Sequence, residues 1–221
     1  MENALIIGSS GGIGTALTQA LTARGVAVTG LSRSGDGLDV TDEASVENAL
    51  GALNGTFDLV FVATGALEID GAEPEKTLRH VTADAMIDQF KLNTVGPSLV
   101  LKHAMRLLPR KGRAVFAALS ARVGSIGDNR LGGWYSYRTS KAALNQMIHG
   151  GAIELARTHK DLICVCLHPG TVETPFTEKY VGHNPSVPAS EAAENLLSVL
   201  DGLSPDDSGK FFDWQGKEVP W

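Results

Sequence analysis

Five short apolar runs, each followed by a longer stretch with helical spacing, constrain this chain more than any other feature. The runs are Ala4–Ile7, Val26–Leu31, Leu59–Ala63, Ala114–Leu119 and Leu162–Leu167. They are rich in Val, Ile, Leu and Ala without polar alternation, which suits strands covered on both faces. Candidate helices lie at Gly12–Ala23, Asp42–Leu53, Thr82–Leu108 and Tyr135–Thr158, with a further one over Ala189–Leu200. Such alternation predicts a doubly wound α/β fold, a parallel sheet with helices on both faces. Lys210–Asp213 is a candidate late edge strand. Gly96-Pro97 interrupts the third helix, and because proline lacks an N–H and crowds the preceding turn, a kink is expected near Asn93.

At 221 residues the chain fits one domain, 1–221. A net charge of −6 without a Lys/Arg cluster argues against general binding to nucleic acid or to anionic membranes. Met1–Gly8 has no basic region and reads as a strand rather than a signal peptide. No stretch reaches the roughly 18 apolar residues of a membrane span, so a cytoplasmic location is expected. Cys164 and Cys166 would share one strand face, where disulfide geometry is poor, and they read as core residues. The histidines are scattered without metal-ligand spacing, and no metal is expected.

After the first run comes Gly8-Ser-Ser-Gly-Gly-Ile-Gly14, which opens a helix. Glycines allow a tight turn and close approach of backbone to a phosphate. The helix N-terminus adds free N–H groups and a favourable dipole. Far downstream, Tyr137 and Lys141 stand four apart, on one helical face. An ammonium beside a phenol favours the phenolate, so the pair has the makings of a proton-transfer site.

The Gly-x-x-x-Gly-x-Gly spacing, Tyr137-Arg-Thr-Ser-Lys141 and the Ala142-Ala-Leu-Asn145 continuation resemble the short-chain dehydrogenase/reductase family, over nearly the whole chain. Within it the chain is most similar to the branch of C-factor and the sniffer-type carbonyl reductases. That likeness lies in Gly124–Asn129, Gly132–Lys141 and the ending Phe211…Gly216-Lys-Glu-Val-Pro-Trp221. The resemblance implies a Rossmann-type fold, a nicotinamide cofactor, and cofactor contacts from Gly8, Ser10, Gly12, Ile13 and Gly14. It carries over Tyr137 as acid/base, Lys141 as its tuner and ribose ligand, and Asn93 as the helical asparagine near a proton-relay water. Asp39 and Val40 correspond to the adenine edge, and Ala63-Thr64-Gly65 to the family's Asn-Ala-Gly. Gly65 matches there, while a structural asparagine is lost. Pro169, Gly170, Val172 and Thr174 correspond to the turn beside the nicotinamide. His168 reads as a structural strand-end residue. Residues 175–188, with Phe176, Tyr180 and His183, form a candidate substrate lid.

For NAD a carboxylate is expected at the end of the second strand. The chain has Ser32 and Arg33 instead. A guanidinium suits a 2′-phosphate, so NADP(H) is expected over NAD(H). In the branch a serine stands three residues before the glycine matching Gly124, where this chain has Ala121. Its neighbour Ser120 is the first candidate for the missing hydroxyl and Ser125 the second; a site with no serine is the third option. Neighbouring strand residues face opposite ways unless a bulge re-aims one.

The lead expectation is an NADPH-dependent reductase of small carbonyl substrates, or the reverse alcohol dehydrogenase, assembled as a homodimer or homotetramer. The alternative is a dinucleotide-binding signalling or sensor protein with little turnover, motivated by Ala121 and Ala63-Thr-Gly65.

Overall fold

The apolar runs form strands β1 (Asn3–Ile7), β2 (Ala27–Leu31), β3 (Leu59–Val62), β4 (Ala114–Leu119) and β5 (Leu162–His168). This is a computed structural model, and it describes residues 1–174, 179–180 and 186–221. Two short strands, β6 (Val172–Glu173) and β7 (Val187–Pro188), pair with each other. The expected edge strand is β8 (Phe211–Asp213). The main sheet has the order β2-β1-β3-β4-β5-β8, and every pairing in it is parallel. This is the doubly wound Rossmann-type arrangement that the alternation predicts.

The helices are α1 (Gly12–Ala23), α2 (Arg33–Asp36), α3 (Glu43–Gly51), α4 (Ala83–Phe90), α5 (Gly96–Ala104), α6 (Tyr135–Leu155) and α7 (Ala189–Gly202). Strand period 2 sorts the core into two layers. Leu5, Ile7, Val60, Phe116, Cys164 and Cys166 face α3, α5 and α6, where Val46, Val100, Leu144 and Ile148 meet them. Ala4, Ile6, Phe61, Val115, Val165 and Leu167 face α1 and α7, against Leu17, Leu21, Leu196 and Leu200. Both cysteines are free and buried on the same face.

The expected long third helix is broken. A π-helical turn, Lys91–Val95, joins α4 to α5. Pro97 in the first turn of α5 has no N–H to donate to the Asn93 carbonyl four residues back, so the regular ladder cannot run through. The short α2 was not visible in the apolar pattern. It exists because Ser32 caps it, with Oγ accepting from the Gly35 N–H at 3.0 Å. Among the described residues no helix is long and apolar enough to cross a membrane. No cluster of His, Cys, Asp or Glu among them is placed to hold a metal ion.

Candidate active site

The chain leaves β1 for β2 on one side and returns to β3 on the other, so the strand order reverses at β1. Open α/β sheets bind ligands at such a switch point, beyond the C-terminal strand ends. Here one large cleft opens there. It is lined by the glycine loop, the ends of β3, β4 and β5, and the N-terminal turn of α6.

Ser10, Gly12 and Ile13 line the cleft at the start of α1. Among the described residues the helix has no side-chain cap, so no capping side chain occupies its first N–H groups. The loop is wound tightly: the Gly8 and Ser9 N–H groups donate to Leu31 O, and a Cβ on Gly14 would drive into the Gly8 carbonyl. The hydroxyl of Thr64, also in the lining, is buried without a partner among the described residues. An open helix N-terminus, a cradle that a side chain would fill and an orphaned hydroxyl fit a dinucleotide pyrophosphate.

Ser32, Arg33, Asp39 and Val40 stand outside the cleft lining, in and after the turn that ends β2. Arg33 is exposed and forms no ion pair among the described residues. Asp36, four residues beyond the expected contact Ser32, folds back onto Ser32 and accepts its N–H at 2.8 Å. Asp39 accepts from Thr41 through both N–H and hydroxyl, which holds its carboxyl below the ordinary range. Val40 is buried against Gly96.

Tyr137 and Lys141 sit side by side in the first turns of α6, both buried. The Lys141 ammonium lies 5.8 Å from the Tyr137 ring centroid and donates to Leu119 O at 2.9 Å. Burial raises the Tyr137 phenol pKa and pushes that of Lys141 down to about 8. The expected depression of the phenol by the ammonium is therefore overridden by desolvation, which disfavours both charged forms.

Asn93 is fully buried in the π turn. Its side chain accepts from Ala66 N at 3.0 Å and donates to Ala66 O at 2.9 Å and to Gln89 Oε1 at 2.6 Å. Gln89 in turn donates to Leu67 O at 2.8 Å. The pair clamps the turn after β3, and Gly65 brings that turn against the ammonium: a Cβ there would lie 3.2 Å from Lys141 Nζ. The Asn93 side chain is thus engaged by Ala66 and Gln89, and Pro97 offers its backbone carbonyl no α-helical N–H.

Ser120 and Ala121 both line the cleft, whereas Ser125 does not. Ser125 donates to Pro220 O and accepts from Asp128 N, tied to the C-terminal segment. The Ser120 hydroxyl lies 2.6 Å from Asn145 Oδ1, one turn beyond Lys141 on α6. Asn145 Nδ2 is buried without a partner among the described residues. The Ser120 hydroxyl donates in this contact; with the two ends of the amide exchanged, Nδ2 would donate to Ser120 instead and the amide oxygen would take the unpartnered position.

Pro169, Gly170, Val172 and Thr174 line the wall after β5. His168, also in the lining, is pushed down to about 4, chiefly by burial, and is neutral at physiological pH. Of the candidate lid, 175–178 and 181–185, with Phe176 and His183, fall outside the described residues. Tyr180 lines the cleft, donates to Glu68 at 2.5 Å and packs edge-on against Trp134, with centroids 5.7 Å apart. Trp134 also meets Tyr137 edge-on at 6.4 Å. Trp134 lies in the Gly132–Lys141 stretch that carries the family likeness, whereas Glu75, which holds the start of α6, carries no signal in the sequence, because it acts through a contact between distant segments.

The short chain dehydrogenase family model matches residues 2–184. A 1-hydroxy-2-glutathionyl-2-methyl-3-butene dehydrogenase of Rhodococcus sp. (strain AD45) is 32% identical over 238 residues, which span 100% of both chains. C-signal of Myxococcus xanthus is 38% identical over 136 residues, 62% of this chain and 78% of that one. An NADPH-bound carbonyl reductase from chicken fatty liver superposes with a TM-score of 0.86 at 24% identity, covering 100% of this chain and 94% of that one. At that identity the likeness is one of fold.

Proposed function

The chain belongs to the short-chain dehydrogenase family, and on that premise we propose that it is an NADP(H)-dependent oxidoreductase acting on a carbonyl or secondary alcohol, with Tyr137 as acid/base. The bound dinucleotide supplies or accepts the hydride, and the protein orients it. The observation that carries the reading is the buried Tyr137–Lys141 pair in the wall of the same cleft that the glycine loop lines. Burial keeps the phenol protonated at neutral pH, the form that an acid needs in carbonyl reduction. Lys141, fixed by Leu119 O, holds the ribose and supplies positive charge beside the phenol. Ser120, oriented by Asn145, donates to the carbonyl oxygen. Asn93 and Gln89 hold the wall that seats Gly65.

Exposed Arg33 supports NADP(H) over NAD(H) through a charge-assisted contact with the 2′-phosphate. The Rhodococcus relative is named as a dehydrogenase of a hydroxyl compound and the chicken protein as a carbonyl reductase. These are two directions of one chemistry. Exposed Ile87, Phe90, Met147 and Ile153 on α4 and α6 support assembly into a homodimer or homotetramer, which sedimentation would check.

The test is NADPH oxidation across ketones, aldehydes, diones and quinones, with Tyr137→Phe in parallel. Loss of one general acid is expected to lower kcat by roughly 10²–10⁴-fold while cofactor binding is kept. Tight NADPH binding without turnover of any compound would favour the sensor instead.

A further inference from the structure

The walls of the cleft are electrostatically one-sided. Among the described residues its lining contains Lys76, Arg122, Arg138 and Lys141, and no Asp or Glu. Two of these cations are already engaged. Lys141 belongs to the catalytic pair, and Arg122 is neutralised by Asp128 at 2.5 Å and Asp213 at 3.6 Å. Arg138, the residue after Tyr137, is not. Its Nε donates to Gly133 O at 2.9 Å and its Nη1 to Val123 O at 3.1 Å. Both acceptors are peptide carbonyls of the cleft wall, so the guanidinium is held in place without a countercharge among the described residues.

A guanidinium has five N–H donors. Two are committed to the wall, which leaves three, including both on Nη2. The free Nη edge presents paired donors with the spacing of the two oxygens of a carboxylate. A half-buried cation without a counterion is costly, and an anionic ligand offsets that cost. Leu67, Trp134 and Tyr180 line the same cleft and offer apolar surface for a carbon chain. Exposed Lys76 in the lining would draw an anion in.

We infer that the substrate is an oxo acid, or the matching hydroxy acid: its carbonyl lies at Tyr137 and its carboxylate pairs with Arg138. This rests on the oxidoreductase reading above.

The experiment is NADPH oxidation with ω-oxo carboxylic acids of increasing chain length, each beside its methyl ester. Wild type, Arg138→Met and Arg138→Lys are compared. At the chain length that spans the two groups, wild type should prefer the acid by about 10–100-fold in kcat/KM, the worth of one charged hydrogen-bonded contact, chiefly through KM. In Arg138→Met the acid-to-ester ratio should fall to near one. Arg138→Lys should restore part of it, because the charge returns without the fork. A purely wall-holding arginine would slow acid and ester alike, and an unchanged ratio in Arg138→Met overturns the inference. Equal turnover of acid and ester by wild type at every length overturns it too, while leaving the reductase reading intact. No NADPH oxidation with any carbonyl compound overturns both.

Discussion

The carboxylate of Glu75 caps helix α6 from a loop sixty-one residues away: Oε2 accepts the Ser136 N–H at 3.2 Å and Oε1 accepts the Ser136 hydroxyl. The Glu75 carbonyl also takes the Trp134 N–H at 2.5 Å. Trp134 holds a left-handed backbone, φ +50°, at the helix start and has no side-chain cap of its own to offer. A residue other than glycine keeps that conformation only when its surroundings fix it. Glu75 is the fixing group, and it thereby sets where Tyr137 enters the cleft.

Glu75→Ala leaves the buried Ser136 N–H and hydroxyl without that acceptor. It should destabilise the protein by about 1–3 kcal/mol, read as a lower urea midpoint at unchanged slope. Glu75→Gln keeps one acceptor oxygen and should lose less. An unchanged midpoint in the alanine variant would show that the cap contributes nothing.

The contact between Ser120 and Asn145 predicts a matched pair of kinetic effects. If Nδ2 orients the hydroxyl as donor, Ser120→Ala and Asn145→Leu remove one function. Each should lower kcat by about 10–100-fold, and the double variant should be little worse than either, because residues that act as a unit are not additive. Ser125→Ala, whose hydroxyl is tied to Pro220, should keep the wild-type kcat. Full activity in Ser120→Ala would leave proton delivery to Tyr137 alone.

The parts of this molecule that were legible in the sequence depend on neighbours along the chain. Period-2 apolar runs place Cys164 and Cys166 on one face, and they are found there. Four-residue spacing puts Tyr137 beside Lys141, and Gly96-Pro97 marks where the helix gives way to a π turn. What stayed hidden depends on chain segments meeting in space. Nothing around Glu75 marks it as the cap of α6, since its partner is set by the fold. Asp36 is hidden for a subtler reason: position 32 holds a serine, but the four-residue α2 folds a later carboxylate back onto it. Desolvation was hidden too. The spacing shows that an ammonium stands by a phenol, not that both are buried deeply enough for solvation to outweigh their attraction.

On the proposed reading, Asp36 and Arg33 oppose each other in cofactor choice. Arg33 would attract a 2′-phosphate, while the Asp36 carboxylate on Ser32 would repel one and accept from a free ribose hydroxyl. Arg33→Ala should therefore reduce the ratio of kcat/KM for NADPH over NADH by about 10–100-fold, the worth of one charge-assisted contact. Asp36→Asn should shift the ratio the other way. Steady-state rates with both cofactors at one ionic strength would decide, because phosphate contacts weaken with salt. An unaltered ratio in Arg33→Ala would mean that this arginine does not meet the phosphate.

Lys141 gives a pH signature in stability. Its pKa is brought down by burial to about 8, whereas a lysine in the unfolded chain titrates near ~10.4. Between these values the unfolded state binds the extra proton, so the contribution of Lys141 to stability rises with pH across that window. It is fully present above the unfolded value and lost as pH falls through about 8. Tyr137 works the other way: its raised phenol pKa contributes stability below about 10 that fades at higher pH, which confines the clean window to roughly pH 8–10. Lys141→Met removes the buried ammonium. The difference in urea midpoint between variant and wild type should therefore be largest below pH 8, in favour of methionine, and should shrink as pH approaches 10. A difference that stays constant across this range would show that Lys141 keeps an ordinary lysine pKa, held charged by its contact with Leu119 O.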